Sequence, residues 1–101
     1  MDLTVTDVPD RSRYEARFGD QVAGFAMYKL ADRLVVLTHT EVDPQYEGQG
    51  VGGRLVQAAL DDVRSRGLHV LPVCPFAKAW LGRHRDYSDV VYRAPPSRVT
   101  D

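Results

Sequence analysis

Four glycines within six residues are the feature of this sequence with the clearest chemical meaning. A predicted strand precedes them and a predicted helix follows them. Because glycine has no Cβ atom, the backbone here can approach a ligand closely. The first N–H groups of a helix lack partners inside the helix, and the helix dipole favours an anion there. A backbone cradle for phosphate groups is therefore predicted in the run Glu47-Gly48-Gln49-Gly50-Val51-Gly52-Gly53-Arg54.

The spacing of these glycines fits two widespread phosphate motifs poorly. Gly48, Gly50 and Gly53 match G-x-G-x-x-G, but a dinucleotide site also needs a parallel βαβ unit and a carboxylate about 20 residues further on. The next predicted strand ends in Val73-Cys74, which offers no carboxylate. A Walker A loop is excluded because no Gly-Lys-Ser/Thr sequence follows. A turn whose glycines serve only chain reversal and close packing is the structural alternative.

Cys74 is the only cysteine, and it lies between a predicted strand and Pro75. Proline suits the first turn of a helix. A thiol at a helix N-terminus has a stabilised anion, which lowers its pKa below the usual value of ~8.5. Cys74 is therefore a candidate nucleophile, or a candidate acid for a leaving thiolate. The alternative is a buried cysteine that packs as a small apolar side chain.

His39 and Glu41 are two residues apart on a predicted strand, so their side chains share one face of the sheet. Either type of side chain can act as a general base, directly or through water. The pair is therefore a candidate for proton removal. A hydrogen-bonded histidine beside a solvated strand end is the alternative interpretation.

The surrounding elements follow from the apolar pattern. Strands are predicted over 13–18, 22–30 and 34–42, and the short turns between them indicate antiparallel hairpins. From Val51 to Val63 the apolar spacing changes to three and four residues, which predicts a helix ended by Gly67. A strand over 68–74, a short helix over 76–82 and a candidate strand over 90–92 follow. The fold class is α+β.

Two motifs together resemble the GNAT superfamily of N-acetyltransferases, over about residues 22–92. In that family an apolar strand end is followed by proline, an aromatic residue and Arg-Gly-x-Gly-x-Gly at the head of a long helix. The strand end Val42, Pro44 and Tyr46 match, whereas Glu47 departs from the usual Arg or Gln and places a negative charge near the anion. His39-Thr40-Glu41-Val42 and Cys74-Pro75 are similar to the small YjdJ-type branch.

The resemblance implies a minimal GNAT fold and an enzyme that moves an acetyl group from acetyl-CoA to an amine. The length predicts one domain, over 1–93, and 94–101, which contains Pro95-Pro96, is predicted to be a disordered tail. Pro72 would lie where two strands splay apart to admit the pantetheine arm, a simple edge strand being the alternative. The catalytic candidates are Cys74, His39 and Glu41. The implied cofactor contacts are Val42, Gly48, Gln49, Gly50, Val51, Gly52, Gly53, Arg54 and Phe76.

Composition limits the other function classes. A chain of 101 residues has room for one domain. Its 13 basic and 14 acidic side chains do not suggest a nucleic-acid or membrane partner. The sequence shows no run of 18 apolar residues and no secretory signal, and its lone cysteine is typical of a reducing compartment, so a cytoplasmic location is predicted. No metal site is predicted, and a monomer or weak homodimer is expected.

Two other functions stay open on the sequence alone. An acyl-CoA-binding module without turnover is favoured by Glu47 and by the small size of the chain, which leaves little room for an acceptor pocket. A thiol-based redox or acyl-carrier protein would be built around Cys74. The sequence does not identify the amine acceptor.

Overall fold

Four strands in the first half of the chain pair in sequence order, and a fifth joins them after a long helix. The computed structural model describes residues 2–93. The sheet order is β1-β2-β3-β4-β5, with β5 parallel to β4 and the other pairs antiparallel. The predicted α+β class is confirmed. The strands are β1 (Leu3–Val8), β2 (Arg13–Phe18), β3 (Gln21–Ala31), β4 (Leu34–Val42) and β5 (His69–Pro72).

Short turns join β2 to β3 and β3 to β4, as the sequence predicts. Gly19 and Asp32 take φ values of 59° and 57° there, in the left-handed region that tight hairpin loops need. The strand β1 is an addition, because the predicted sheet begins at Arg13. Its signal is a short alternation in which Leu3 and Val5 are half-buried and the threonine after each of them is exposed.

The predicted apolar stripe is the buried face of the helix α1 (Val51–Ser65). Gly67 follows this helix with φ 67°, as the cap prediction requires. The second helix, α2 (Pro75–Arg83), begins with proline at its first position. The buried residues of α1 are Val51, Gly52, Leu55, Val56, Ala59, Leu60 and Val63.

The C-terminal part of the fold differs from the prediction. A 3-10 helix over Arg85–Val90 includes Val90, and of the candidate strand 90–92 only an isolated bridge between Val91 and Val70 remains. The reason is that Tyr87 and Val90, three residues apart, are both buried, which suits a helix with three residues per turn. The predicted tail over 94–101 lies outside the described residues.

Both α-helices pack on one face of the sheet. Tyr14 lies on this covered face, since its hydroxyl donates to Asp62 of α1 at 2.6 Å. Glu15, next along the strand, therefore points to the opposite face. We call this second surface the open face, and it carries the side chains of Arg13, Glu15, Arg17, Phe25, Met27, His39 and Glu41.

A polar cluster fixes the far end of α1 to the sheet. Tyr28 donates to Asp7 at 2.7 Å, and Arg66 donates to Asp7 at 2.9 Å and contacts Asp62 at 3.2 Å. Burial and the neighbouring Asp7 carboxylate raise the pKa of Tyr28 to about 12. These bonds and the apolar stripe together set where the N-terminus of α1 meets the end of β4.

Candidate active site

The glycine-rich turn connects the end of β4 to the start of α1. Asp43 caps a 3-10 turn over Pro44–Tyr46 by accepting from the backbone N–H of Gln45 at 3.0 Å. Gly48 and Gly50 then take φ values of 80° and 77°, which residues with a Cβ atom rarely adopt. No heavy atom lies within 4 Å of an added Cβ at either position. The turn therefore leaves open space in front of its backbone.

The other two glycines of the turn have a different role. A Cβ on Gly52 would lie 2.7 Å from Cζ of Phe76, and one on Gly53 would lie 3.3 Å from Nε1 of Trp80. These positions must be small so that α2 can pack against α1. Close packing thus accounts for Gly52 and Gly53, while ligand approach stays a prediction for Gly48 and Gly50, where the space is open.

The first turn of α1 presents free backbone donors to this space. The first bond inside the helix runs from the N–H of Arg54 to the carbonyl of Gly50 at 3.1 Å. The N–H groups of Val51, Gly52 and Gly53 come before it, so the helix supplies them with no acceptor. A groove of about 210 Å³ lies at this end of α1. Its lining residues are Val42, Tyr46, Glu47, Gly48, Gly50, Val51, Gly52, Gly53 and Phe76.

The strands β4 and β5 separate beside this groove. They pair only from Leu34 with His69 to Leu37 with Pro72. The backbone N–H groups of Val73 and Cys74 then both donate to the carbonyl of Leu37, at 3.0 and 2.9 Å. These two bonds to one carbonyl turn the chain out of the ladder, which is why β5 is shorter than the predicted 68–74. The second half of β4 thus continues without β5 beside it.

Cys74 lies at this separation, immediately before α2. Its side chain is 3% exposed, and its Sγ lies 3.4 Å from Oγ1 of Thr40 on β4. Burial acts to raise the pKa of the thiol. Hydrogen bonds from the Thr40 hydroxyl and from the backbone N–H groups of Ala77 and Phe76 outweigh burial, and the pKa is lowered overall. The lowered pKa is what a nucleophile needs, and the burial is what the packing alternative needs, so the catalytic role of Cys74 stays a prediction.

His39 and Glu41 come together on the open face, away from Cys74. Nε2 of His39 lies 3.3 Å from Oε1 of Glu41, and the two side chains are 55% and 61% exposed. Thr40, which contacts the thiol, lies between them on β4 and points to the other face. The three catalytic candidates therefore form two groups, one on each side of β4.

A family model described as GCN5-related N-acetyl-transferase matches residues 13–90. This range includes the glycine-rich turn, the separation of β4 from β5, Cys74 and the His39–Glu41 pair.

The chain belongs to the GCN5-related N-acetyltransferase family. The resemblance found in the sequence is thus confirmed at the level of the family, and the protein is an N-acetyltransferase by descent. Its finer resemblance to the YjdJ-type branch stays a prediction.

Solved structures share the fold of this N-acetyltransferase. A GCN5-like protein from Staphylococcus aureus, determined in solution by NMR, has a TM-score of 0.69 and 23% identity, covering 95% of this chain and 94% of that one. The ribosomal-protein-S18-alanine N-acetyltransferase from Escherichia coli has a TM-score of 0.56 and 24% identity, and the match covers 59% of this chain and 39% of that one. The ribosomal-protein-alanine N-acetyltransferase from Brucella melitensis has a TM-score of 0.56 and 18% identity, with coverages of 92% and 71%. A comparison with curated proteins finds no match.

Two predicted cofactor contacts of this N-acetyltransferase lie outside the groove. Gln49 faces a neighbouring hollow with Phe18 and Tyr46. The guanidinium of Arg54 donates to the carbonyl of Leu3 at 3.3 Å, which ties α1 to β1. The other predicted cofactor residues line the groove, and the contacts of the whole set with acetyl-CoA stay predictions.

Two features of the site are missing from the sequence prediction. One is Thr40, whose contact with Cys74 joins residues 34 positions apart. The other is a hollow of about 450 Å³ beside the N-terminus of α1, lined by Gly50, Arg54, Trp80 and His84 among others. The rings of Trp80 and His84 stack there with centroids 3.7 Å apart. Their spacing of four residues across the end of α2 was the available signal.

Other kinds of site find little support in the described part of the chain. Within residues 2–93, no cluster of three or more His, Cys, Asp or Glu side chains could hold a metal ion. Neither helix in that range has both the length and the apolar composition that a membrane span needs.

Proposed function

We propose that this protein transfers the acetyl group of acetyl-CoA to an amine, with Cys74 as a covalent carrier. The observation that carries the proposal is the thiol itself. It lies at the N-terminus of α2, next to the separation of β4 from β5, and neutral hydrogen bonds from the Thr40 hydroxyl and nearby backbone groups lower its pKa. A thiolate stabilised by dipoles instead of a cation keeps its charge available for attack.

The groove at the head of α1 fits the phosphate end of acetyl-CoA. The left-handed Gly48 and Gly50 hold the backbone open, and the free N–H groups of the first helical turn favour an anion. The Phe76 ring covers Gly52 at the groove wall. The second half of β4, which pairs with β3 but not with β5, offers backbone groups on its free side to the amide-rich pantetheine arm. The thioester would then arrive beside Thr40 and Cys74.

The proposed reaction has two displacement steps. In the first, the Cys74 thiolate attacks the acetyl carbonyl carbon, a C–S bond forms to Cys74, and the C–S bond to CoA breaks. CoA leaves as a thiolate and takes up a proton. In the second step, an unprotonated amine attacks acetyl-Cys74, and Cys74 returns as a thiolate.

The amine arrives as an ammonium ion and must lose two protons in all. One leaves before the attack and one leaves from the tetrahedral intermediate. The His39–Glu41 pair is the proposed acceptor of these protons, because both side chains are exposed. The pair lies on the opposite face of β4 from Thr40, so the protons pass to it through water. One of the two protons ends on CoA and the other passes to solvent.

Binding is the first test. Saturating acetyl-CoA should raise the melting temperature, because a ligand at a hundredfold excess over its Kd stabilises the folded state by about 2.7 kcal/mol. Gly50→Val should abolish the shift. Gly67→Val is the matched control, since Gly67 has the same left-handed conformation and open surroundings but lies at the other end of α1. No shift with millimolar acetyl-CoA in the wild type would refute the proposal.

Mass spectrometry then tests the carrier role of Cys74. Acetyl-CoA alone should add one acetyl group to the wild type, hydroxylamine should remove it, and Cys74→Ser should bind acetyl-CoA without transferring. Full transfer by Cys74→Ala would show direct attack by the amine instead. Acetylation of Cys74 with no transfer to any amine would favour the acyl-carrier function, and binding with neither reaction would favour the binding module. The cytoplasmic location and the monomeric or weakly dimeric state are still predictions from the sequence.

A further inference from the structure

The open face places one aromatic ring between a basic and an acidic group. The strand register sets Glu15 opposite Phe25 and Phe25 opposite Glu41. The Arg13 guanidinium lies 4.4 Å from the centre of the Phe25 ring, and the His39 ring lies 6.3 Å from it on the β4 side. On this face, positive charge from arginines on β2 therefore lies on one side of Phe25, and negative charge from carboxylates at the end of β4 lies on the other.

The basic side has more positive charge than its own carboxylate can neutralise. Glu15 is 1% exposed, and its oxygens lie 2.7 Å from nitrogens of both Arg13 and Arg17 and 3.6 Å from Arg11. Three guanidinium groups and one carboxylate leave two positive charges. Each guanidinium has five N–H donors, so the cluster retains donors for a second carboxylate. Glu15 holds these side chains in place.

The acidic side is a cavity of about 380 Å³ between the ends of β3 and β4. Its size is within the range of small-molecule sites. Glu41 and Asp43 supply negative charge at its wall. Val22, which pairs with Arg17 in the sheet, also lines the cavity. Val42 also lines the groove at the head of α1, so this cavity and that groove meet at one residue.

We propose that the open face binds the amine acceptor, and that this acceptor is a small linear ω-amino carboxylate. Its ammonium group lies at Glu41 and Asp43, and its carboxylate lies at Arg17. Because Cys74 is on the covered face, the amine reaches acetyl-Cys74 past the second half of β4, where β5 no longer lies beside the strand. This inference rests on the proposed acetyl transfer, since it assigns the acceptor of that reaction. A diamine is disfavoured because its second ammonium would face the arginine cluster.

The strand spacing sets the length of the acceptor. Glu15 and Glu41 lie two strands apart, which is about 10 Å at a spacing of ~4.8 Å per strand. The charged atoms lie at the ends of side chains that extend from these strands, so a two-strand separation favours a short acceptor. Short members of the series, such as 3-aminopropanoate and 4-aminobutanoate, therefore fit better than 6-aminohexanoate.

The test compares kcat/KM for 4-aminobutanoate, butylamine and 1,4-diaminobutane with acetyl-CoA in excess. We expect at least a tenfold preference for 4-aminobutanoate. Arg17→Gln should lower that value about tenfold while leaving butylamine unchanged, and Arg17→Lys should lie between the two. Arg33→Gln is the matched control, because Arg33 is an exposed arginine in the turn at the other end of β3 and β4.

The outcomes separate this inference from the function it rests on. If butylamine or the diamine is acetylated as fast as 4-aminobutanoate, or if Arg17→Gln affects all three equally, the acceptor assignment is wrong and the acetyl transfer stands. If acetyl-CoA acetylates Cys74 and no amine of the panel is acetylated, the acceptor assignment is wrong and the first transfer step stands. If acetyl-CoA neither binds nor acetylates Cys74, the proposed function itself fails.

Discussion

Cys74 and Glu15 are both almost fully buried, on opposite faces of one sheet, and each has a lowered pKa for a different reason. On the covered face, a hydroxyl and two backbone N–H groups stabilise the Cys74 anion against the effect of burial. On the open face, hydrogen bonds from Arg17 and Arg13, together with the charges of both arginines, outweigh burial at Glu15. Glu15 is thus ion-paired, whereas the thiolate has no cation among these partners.

Because their partners differ, Glu15 and the Cys74 thiolate have different roles. A carboxylate neutralised by guanidinium groups is a poor base, and its value is to organise the arginines around it. A thiolate held by neutral dipoles keeps its nucleophilicity. The comparison therefore predicts that changes at Glu15 alter stability most, while changes near Cys74 alter reactivity most.

The largest expected effect on stability is that of Glu15→Gln. It should lower the free energy of unfolding by about 2 kcal/mol, because hydrogen bonds to charged groups are worth about 1.5–3 kcal/mol each and the exposed arginines can turn to solvent. Urea unfolding at pH 7 measures this change. Glu41→Gln is the control, because that carboxylate is exposed and pairs weakly, so its loss should change stability by less than about 1 kcal/mol.

The effect of Glu15 should depend on pH with a defined sign. Its pKa is lowered in the folded state, so its stabilisation is present above the ordinary glutamate pKa of ~4.3 and disappears as the pH falls through the lowered value. The difference between wild type and Glu15→Gln should therefore be constant near neutral pH and shrink in acid. A difference that grows in acid would contradict the ion-pair explanation.

Thr40→Val tests the other half of the comparison. Valine keeps the shape of threonine and removes the hydroxyl that lies 3.4 Å from Sγ, so the pKa of Cys74 should rise. At neutral pH, alkylation of the thiol should slow on the order of tenfold, and its pH profile should move to higher pH. Thr38→Val is the control, because the Thr38 hydroxyl donates to the carbonyl of Met27 and not to the thiol. Equal slowing in both variants would mean that access, and not the hydroxyl, limits the reaction.

The sequence predicts the parts of this molecule that depend on neighbours in the chain. The hairpins, the apolar face of α1, the glycine-rich turn and the strand-to-helix position of Cys74 each have a local pattern. The contacts between distant segments have no local sequence pattern that would predict them. The pairing of Thr40 with Cys74 depends on how β4 and β5 separate. The burial of Glu15 depends on arginines that flank it on its own strand, yet charged residues are usually exposed and alternation alone predicts a solvated face.

The smallest expected effect is that of Glu47→Arg on acetyl-CoA binding. Glu47 is a third anion to set beside Glu15 and Cys74, and it has no cationic partner among the described contacts. It is exposed at the wall of the groove, where the first turn of α1 favours negative charge on a ligand. Glu47→Arg should tighten acetyl-CoA binding by about 1 kcal/mol or less, and calorimetry should show the gain shrinking with salt, since exposed charges are screened over ~10 Å at 0.1 M. Asp10→Arg makes the same charge change at the other end of the sheet and should leave affinity unchanged. Weaker binding by Glu47→Arg, with the control unaffected, would show that the carboxylate itself supports the turn or the cosubstrate.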